Sequence, residues 1–173
     1  MLFLYDIQSP INIGMILRVG EQFQIPVAIY DKRNIMKDEN KVRWISDFSC
    51  GAINRAPLEY AESFDIFKQK HRSRIIATCL NKTAVPLQDF IFKEDDIILF
   101  GNEYDGLPKN LIENADACLY IPLPPGFFPK PRSFSPIDPL REAAVSQNGV
   151  PNLNVSMSTA IISYVYRTQF PIV

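Results

Sequence analysis

The sequence predicts an α/β fold, with a mostly parallel sheet and helices on both of its faces. Short apolar runs with the length of buried strands alternate along the chain with stretches that carry the three-to-four-residue spacing of helices. This alternation is typical of parallel sheets, whose strands are connected by helices. The 173 residues, 47% hydrophobic and 21% charged, fit one globular domain spanning residues 1–173.

Each run can be assigned in chain order. Strands are predicted over Leu2–Tyr5, residues 26–30, 58–61 and 74–80, Ile97–Phe100 and residues 117–121. Helices are predicted over residues 11–23, 42–49, 64–71, 109–114 and 155–170. Residues 31–41 are predicted as a charged loop, and residues 81–84 as a polar turn.

Composition narrows the classes of function. The three cysteines are scattered without a C-x-x-C pair, and His71 is the single histidine, so neither a metal site nor a histidine-based triad is indicated. No run reaches the roughly 18 apolar residues of a membrane span. The N-terminus lacks the basic region of a signal peptide and is predicted as the first strand. We therefore expect a cytoplasmic protein that binds neither a membrane nor a metal.

The net charge of −1 gives no overall electrostatic signature of nucleic-acid binding. A local basic face is still compatible with this charge. One candidate is a patch of basic residues near the mouth of the sheet. The same residues are equally well interpreted as an ordinary solvated charge cluster. The patch would consist of Lys32, Arg33, Lys41 and Arg43.

Residues 97–122 have the layout of a ligand site. A buried strand ends at Gly101, a polar loop with the carboxylate of Glu103 follows, and Pro108 precedes a short helix. In open α/β sheets, ligands bind beyond the carboxyl ends of the strands. An ordinary turn, with Glu103 favoured by the dipole of the next helix, would have the same pattern.

Two further motifs flank the first and last helices. Near the start of the first helix, Gly14 allows close approach of backbone or ligand, and Arg18 lies one turn further along on the same side. An arginine on an amphipathic helix is usually solvated. Residues 152–156 (NLNVS) precede the last helix, where Asn154 or Ser156 would also act as a simple helix cap.

Together and in this order, the motifs resemble those of the SpoU/TrmH family of RNA methyltransferases, within the SPOUT class. Asn12, Gly14 and Arg18 match the family's N-x-G-x-x-x-R motif. The family's G-x-E-x-x-G-[LI] motif is matched at Gly101, Glu103, Gly106 and Leu107, and the strand that follows it ends in Ile-Pro, here Ile121 and Pro122. The family's S-L-N-V-S motif is matched by NLNVS. The resemblance extends from residue 1 to about residue 170, excluding a proline-rich segment.

The resemblance implies a C-terminal trefoil knot, an exception to the rule against knotted chains. It also implies a bound S-adenosylmethionine, contacted largely through backbone groups. The implied contacts are at Thr78, Gly101, Ile121, Leu123 and Asn152. A homodimer is implied as well, with the first and last helices at the interface and an active site that uses residues of both subunits.

The implied reaction is methyl transfer to a ribose 2′-hydroxyl of RNA, with tRNA favoured over rRNA by analogy with short family members. Arg18 would assist deprotonation or, since arginine normally stays protonated, hold the target phosphate and stabilise the developing alkoxide. Asn12 would bind substrate together with Arg18. Asn154 would order the cofactor pocket, and Glu103 would orient Arg18 or Asn12. Because the first strand begins at residue 2, we expect a minimal catalytic core whose dimer surface binds the RNA.

Two departures from the family pattern leave an alternative open, namely a knotted dimer that binds RNA or cofactor without catalysis. Asn152 stands where the family usually has serine, so no hydroxyl is present there. A proline-rich insertion at about residues 124–150 is predicted as an extended loop or lid. It would either be anchored to the body by its phenylalanines or contact RNA through Phe127, Phe128, Lys130 and Arg132. A Rossmann-type dinucleotide enzyme is disfavoured because no G-x-G-x-x-G follows the first strand.

Overall fold

Parallel strands form the centre of the molecule. The computed structural model describes residues 1–123 and 153–172, and in this part of the chain the strands are β1 (Leu2–Tyr5), β2 (Val27–Tyr30), β3 (Leu58–Tyr60), β4 (Ile75–Thr78), β5 (Val85–Pro86), β6 (Ile97–Phe100) and β7 (Ala117–Tyr120). They form one sheet in the order β3-β2-β1-β6-β4-β7-β5, and every pairing between them is parallel. The predicted α/β class with a parallel sheet is confirmed.

Helices cover both faces of the sheet. They are α1 (Pro10–Gln22), α2 (Glu39–Phe48), α3 (Phe64–Lys70), α4 (Lys109–Glu113) and α5 (Val155–Gln169), with short 3-10 turns at Ile35–Lys37, Ala52–Asn54 and Leu87–Asp89. Alternate strand residues point to opposite faces. In β1, Leu2 and Leu4 join a core cluster with α1, α2 and α5, whereas Phe3 joins the cluster with α3 and α4.

The first helix has the predicted buried side. Ile13, Ile16, Leu17 and Gly20 are all buried, and they pack α1 onto the sheet. Ser9 caps the helix, since its side chain accepts a hydrogen bond from the backbone N–H of Asn12.

Two predictions need correction. The predicted loop at residues 31–41 ends early, because the Asp38 carboxylate accepts hydrogen bonds from the backbone N–H groups of Asn40 (3.1 Å) and Lys41 (3.3 Å) and so starts α2 at Glu39. Strand β5 was not predicted. It has two residues and includes a proline, which an edge strand tolerates because one side of its backbone needs no partner in the sheet.

Part of the prediction lies outside the described residues. These predictions concern Asn152, the proline-rich insertion at about residues 124–150, and the RNA contacts expected within it. The trefoil knot also stays a prediction, because the connection from β7 to α5 includes residues 124–152. Among the described residues, none of the helices is long and apolar enough to span a membrane.

Candidate active site

A cavity of about 410 Å³ lies at the carboxyl ends of β4, β6 and β7. Strands that run in parallel end at the same edge of the sheet, so the loops that follow them meet there. Thr78, Gly101, Ile121 and Leu123, which the resemblance assigns to the cofactor, all line this cavity. The structure thus brings together four of the five residues expected to bind the cofactor.

Other cavity-lining residues were not predicted as site residues. Apolar side chains come from the loop after β4, from β7 and from α5, and they include Leu80, Leu119, Val155 and Ile162. In the sequence, Leu80, Leu119 and Ile162 belong to apolar stretches that are indistinguishable from core-forming ones, whereas Val155 lies within the third motif. A volume of several hundred Å³ with a mostly apolar lining and a few polar groups is typical of a small-molecule site.

The Glu103 carboxylate joins the loop after β6 to the start of α1. Its Oε1 accepts hydrogen bonds from Asn12 Nδ2 (2.7 Å) and from the backbone N–H of Ser9 (3.0 Å), and its Oε2 accepts one from the backbone N–H of Gln8 (2.8 Å). Three donors therefore fix the carboxylate. Of the two partners predicted for Glu103, Asn12 is the one it contacts directly, and among the described residues Arg18 forms neither a hydrogen bond nor an ion pair with it.

Asn154 extends this chain of hydrogen bonds to the third motif. Its Nδ2 donates to Asn12 Oδ1 (3.1 Å), while its Oδ1 accepts from the backbone N–H (2.8 Å) and the hydroxyl (2.6 Å) of Ser156. Asn154 therefore caps α5 and also holds it against α1. The side chains of Glu103, Asn12 and Asn154, hereafter the motif network, physically link the three sequence motifs, and Glu103 and Asn154 also line the cavity.

The loop after β6 is closed on itself. A Cβ atom on Gly101 would lie 2.1 Å from the carbonyl carbon of Gly106 and 2.2 Å from the backbone nitrogen of Leu107. Gly106 has a φ of +68°, which favours glycine. Glycine is thus required at position 101 by the return of the loop.

Gly14 is also required by packing. A Cβ atom there would lie 2.7 Å from the carbonyl oxygen of Ile45 and 2.9 Å from Cβ of Phe48. The sequence left open whether backbone or a ligand approaches Gly14 closely. In the structure, the backbone of α2 does.

Arg18 lies apart from the cavity. It is exposed on α1, and it is not among the cavity-lining residues of the described chain. It shares the outer side of α1 with Met15, three residues earlier, which is 37% exposed. The sequence motif predicts that Arg18 lies one helical turn beyond Gly14, but it does not predict what Arg18 contacts.

An exposed apolar surface continues from α1 onto α5. Met157, Ile161 and Tyr164 recur at helical spacing on α5, and they are 55%, 40% and 61% exposed. Met15 adjoins this row, since its sulfur lies 3.7 Å from the Ser156 hydroxyl. We call these four residues the α1–α5 face. Monomeric proteins rarely leave such a contiguous apolar surface uncovered.

Thiol and metal chemistry are not supported at the cavity by the described residues. Burial, together with a hydrogen bond to the thiol of Cys118, raises the pKa of Cys79 to about 12, so this cavity-lining thiol stays protonated near neutral pH. The described residues contain no group of three or more His, Cys, Asp or Glu side chains placed to hold a metal ion.

Comparisons with known proteins identify the family. Residues 1–128 match the model of the SpoU rRNA Methylase family. A tRNA (cytidine(34)-2′-O)-methyltransferase of Beijerinckia indica is 31% identical over 128 residues, which are 72% of this chain and 78% of that protein.

Solved structures agree at the level of the fold. A structure described as "Structural insights into the 2-OH methylation of C/U34 on tRNA" superimposes with a TM-score of 0.74 and 22% identity, over 98% of this chain and 94% of that one. The SpoU methyltransferase AviRb from Streptomyces viridochromogenes, in complex with AdoMet (S-adenosylmethionine), gives a TM-score of 0.74 and 16% identity, over 98% of this chain and 57% of that one. With most of its length matched, the chain belongs to the SpoU methylase family, as its three motifs predicted.

Proposed function

We propose that this protein transfers the methyl group of S-adenosylmethionine to a ribose 2′-hydroxyl of tRNA. The observation that carries this proposal is the motif network of Glu103, Asn12 and Asn154 beside a cavity at three strand ends. The Beijerinckia indica relative is named for cytidine 34 of tRNA, which makes that nucleotide the first one to test. Action on tRNA would agree with a cytoplasmic location, which stays a prediction.

The residues around the cavity fit S-adenosylmethionine. When bound, this cofactor supplies an activated methyl group on its sulfonium. The cavity volume is within the range of small-molecule sites, and its apolar walls would cover the less polar parts of the molecule. Backbone groups at the strand ends near Thr78, Gly101, Ile121 and Leu123 would provide hydrogen bonds. A contact from Asn152, outside the described residues, stays a prediction.

Arg18 would carry the chemistry that the substrate needs. A ribose 2′-hydroxyl is a weak nucleophile, so the site must align it and stabilise the alkoxide that develops. A guanidinium stays protonated at neutral pH and presents a fork of donors to a phosphate. Arg18 would therefore hold the target phosphate and stabilise the developing negative charge.

Glu103, Asn12 and Asn154 would act as positioning residues. Glu103 holds the first turn of α1 through the backbone of Gln8 and Ser9 and through the Asn12 amide. Asn154 holds α5 to the same point. This arrangement would fix the direction of α1, which carries Arg18. The predicted substrate contact of Asn12 stays a prediction, since both of its amide atoms already have a partner in the network.

We further propose a homodimer in which Arg18 serves the cavity of the partner subunit. Helix α5 lines the cavity with Val155, Ser158 and Ile162, and it carries most of the α1–α5 face on its outer side. In a two-fold dimer the same face of both subunits would be buried, which would place α1 of the partner subunit against α5. The exposure of Arg18 on α1, away from its own cavity, favours this arrangement.

The non-catalytic alternative is disfavoured. The curated relative in Beijerinckia indica is an enzyme, and one polar side chain from each of the three motifs joins the motif network in this chain. The features that support the alternative are Asn152 in place of serine and the proline-rich insertion at about residues 124–150, which both lie outside the described residues.

Methyl transfer from isotopically labelled S-adenosylmethionine to unmodified total tRNA tests the proposal. Digestion of the product and mass spectrometry should detect a 2′-O-methylnucleoside and map its position. Arg18→Ala should lower the rate constant about 10²–10³-fold, as expected for loss of a group that stabilises a developing oxyanion, with unchanged affinity for the cofactor.

Arg72→Ala is the matched control, because Arg72 is exposed and lies before β4, at the opposite edge of the sheet from the cavity. Absence of labelled RNA with the wild-type protein would contradict the proposed function. Equal rates for the wild type and Arg18→Ala would contradict the assigned role of Arg18.

A further inference from the structure

One exposed aromatic residue lies at the cavity. In the part of the chain that the structure describes, the exposed aromatic residues are Trp44, Phe48, Tyr60, Tyr104 and Tyr164. Tyr104 is the member of this set that lines the cavity, and it is 65% exposed. Tyr104 therefore lies where the cavity opens to solvent.

The backbone that carries Tyr104 is held in place. The side-chain oxygen of Asn102 accepts hydrogen bonds from the backbone N–H of Tyr104 (2.9 Å) and of Asp105 (2.8 Å), and the carbonyl of Asn102 accepts one from the backbone N–H of Gly106 (3.1 Å). The preceding residue, Glu103, is fixed by its three donors at the start of α1. The backbone of such a loop would lose little conformational freedom when Tyr104 binds a ligand.

The rim also has an apolar partner for a planar ligand. Leu80, in the loop after β4, lines the same cavity and is 52% exposed. Large apolar side chains that stay exposed at the mouth of a cavity are suited to contact a ligand that enters only partly. A nucleotide whose ribose reaches into the cavity is such a ligand, because its base would stay at the rim.

We infer that the Tyr104 ring is the platform on which the base of the target nucleotide stacks. This inference rests on the proposed function, and it assigns a substrate-binding residue to that site. Proteins that recognise single-stranded RNA loops often stack an unpaired base on an aromatic side chain. Stacking tolerates every base, since each has a π face, so Tyr104 would hold the nucleotide without selecting its identity.

Steady-state kinetics with an unmodified tRNA transcript that contains the mapped nucleotide test the inference. Tyr104→Ala should lower kcat/KM for the transcript about tenfold or more, mainly through KM, because loss of a stacked base has an effect of this order. Tyr104→Phe, which keeps the ring, should retain most of the wild-type value. The dissociation constant for S-adenosylmethionine should be unchanged in both variants.

Tyr60→Ala is the matched control, since Tyr60 is equally exposed but lies at the end of the edge strand β3. A second transcript, with an abasic ribose at the target position, separates stacking from a structural effect. On this transcript the wild type and Tyr104→Ala should have equal kcat/KM, because no base is left to stack.

Three results would overturn the inference. They are an unchanged kcat/KM in Tyr104→Ala, a defect of the same size on the abasic transcript, and an equal loss of affinity for S-adenosylmethionine, which would make Tyr104 a cofactor contact. Each presupposes a wild-type protein that methylates the normal transcript. A wild type without activity would instead contradict the proposed function itself.

Discussion

Two polar networks lie at opposite edges of the same sheet. At the carboxyl edge, Glu103, Asn12 and Asn154 connect a loop with the starts of α1 and α5. At the amino edge, the fully buried Asp96 accepts two hydrogen bonds from the guanidinium of Arg74, at 2.8 and 2.7 Å. Both networks centre on a carboxylate that accepts several donors, yet their surroundings differ.

The groups of the amino-edge network bond to one another and to the neighbouring backbone, and they do not line the cavity. Asp96 also accepts from the backbone N–H of Lys93 (2.8 Å), its carbonyl accepts from the amino group of Met1 (2.7 Å), and the Arg74 guanidinium lies 5.5 Å from the centre of the Phe90 ring. The carboxyl-edge network borders the cavity instead. We therefore propose that the first network stabilises the fold, whereas the second positions groups for chemistry.

The largest expected effect on stability is at the amino edge. Asp96→Ala should lower the free energy of unfolding by about 3–5 kcal/mol, because it leaves the guanidinium of Arg74 without its buried partner. Urea denaturation measures this change. The exposed neighbour gives the control Asp95→Ala, which should change stability little. A loss as small as that of the control would remove the stabilising role of the amino-edge network.

A smaller loss of stability and a larger loss of activity are expected at the carboxyl edge. Asn12→Ala leaves Asn154 Nδ2 without its acceptor and removes one of the three donors to Glu103, which should lower the free energy of unfolding by about 1–3 kcal/mol. The misplaced α1 should lower kcat on the order of 10²-fold.

Stability and activity should be measured on the same two variants. Urea denaturation and methyl-transfer kinetics on Asn12→Ala and Asp96→Ala, at a temperature where both variants are folded, should give opposite rankings for stability and activity. The same ranking in both assays would mean that the two networks do not differ in role.

The sequence was sufficient to predict the elements that consist of continuous apolar runs. Strands β1 and β6 have the predicted limits, since each is an uninterrupted apolar run bounded by polar residues or glycine. The family resemblance implied one site for Thr78, Gly101, Ile121 and Leu123, and the strand ends that carry them converge at the cavity.

Other features depend on tertiary contacts that a pattern does not contain. The contact of Gly14 with α2 and the choice of Asn12 as the partner of Glu103 are set by how helices and loops pack. The position of Arg18 outside the cavity lining also depends on tertiary packing. Helical spacing predicts the side of α1 on which Arg18 lies, but it does not predict what that side contacts.

A heterodimer of two inactive variants tests the central claim most directly. Arg18→Ala keeps an intact cavity, whereas Gly101→Val should disrupt the cofactor site, since even a Cβ atom there would lie 2.1 Å from Gly106. The two variants are co-expressed with different affinity tags, and the heterodimer is isolated by sequential purification. Circular dichroism of each parent shows whether it is folded.

If Arg18 serves the cavity of the partner subunit, one site of the heterodimer combines an intact cavity with an intact Arg18. We predict about half of the wild-type methyl transfer per dimer, because one of two symmetry-related sites is restored. A heterodimer as inactive as its parents, or a protein that is monomeric when active, would contradict this account.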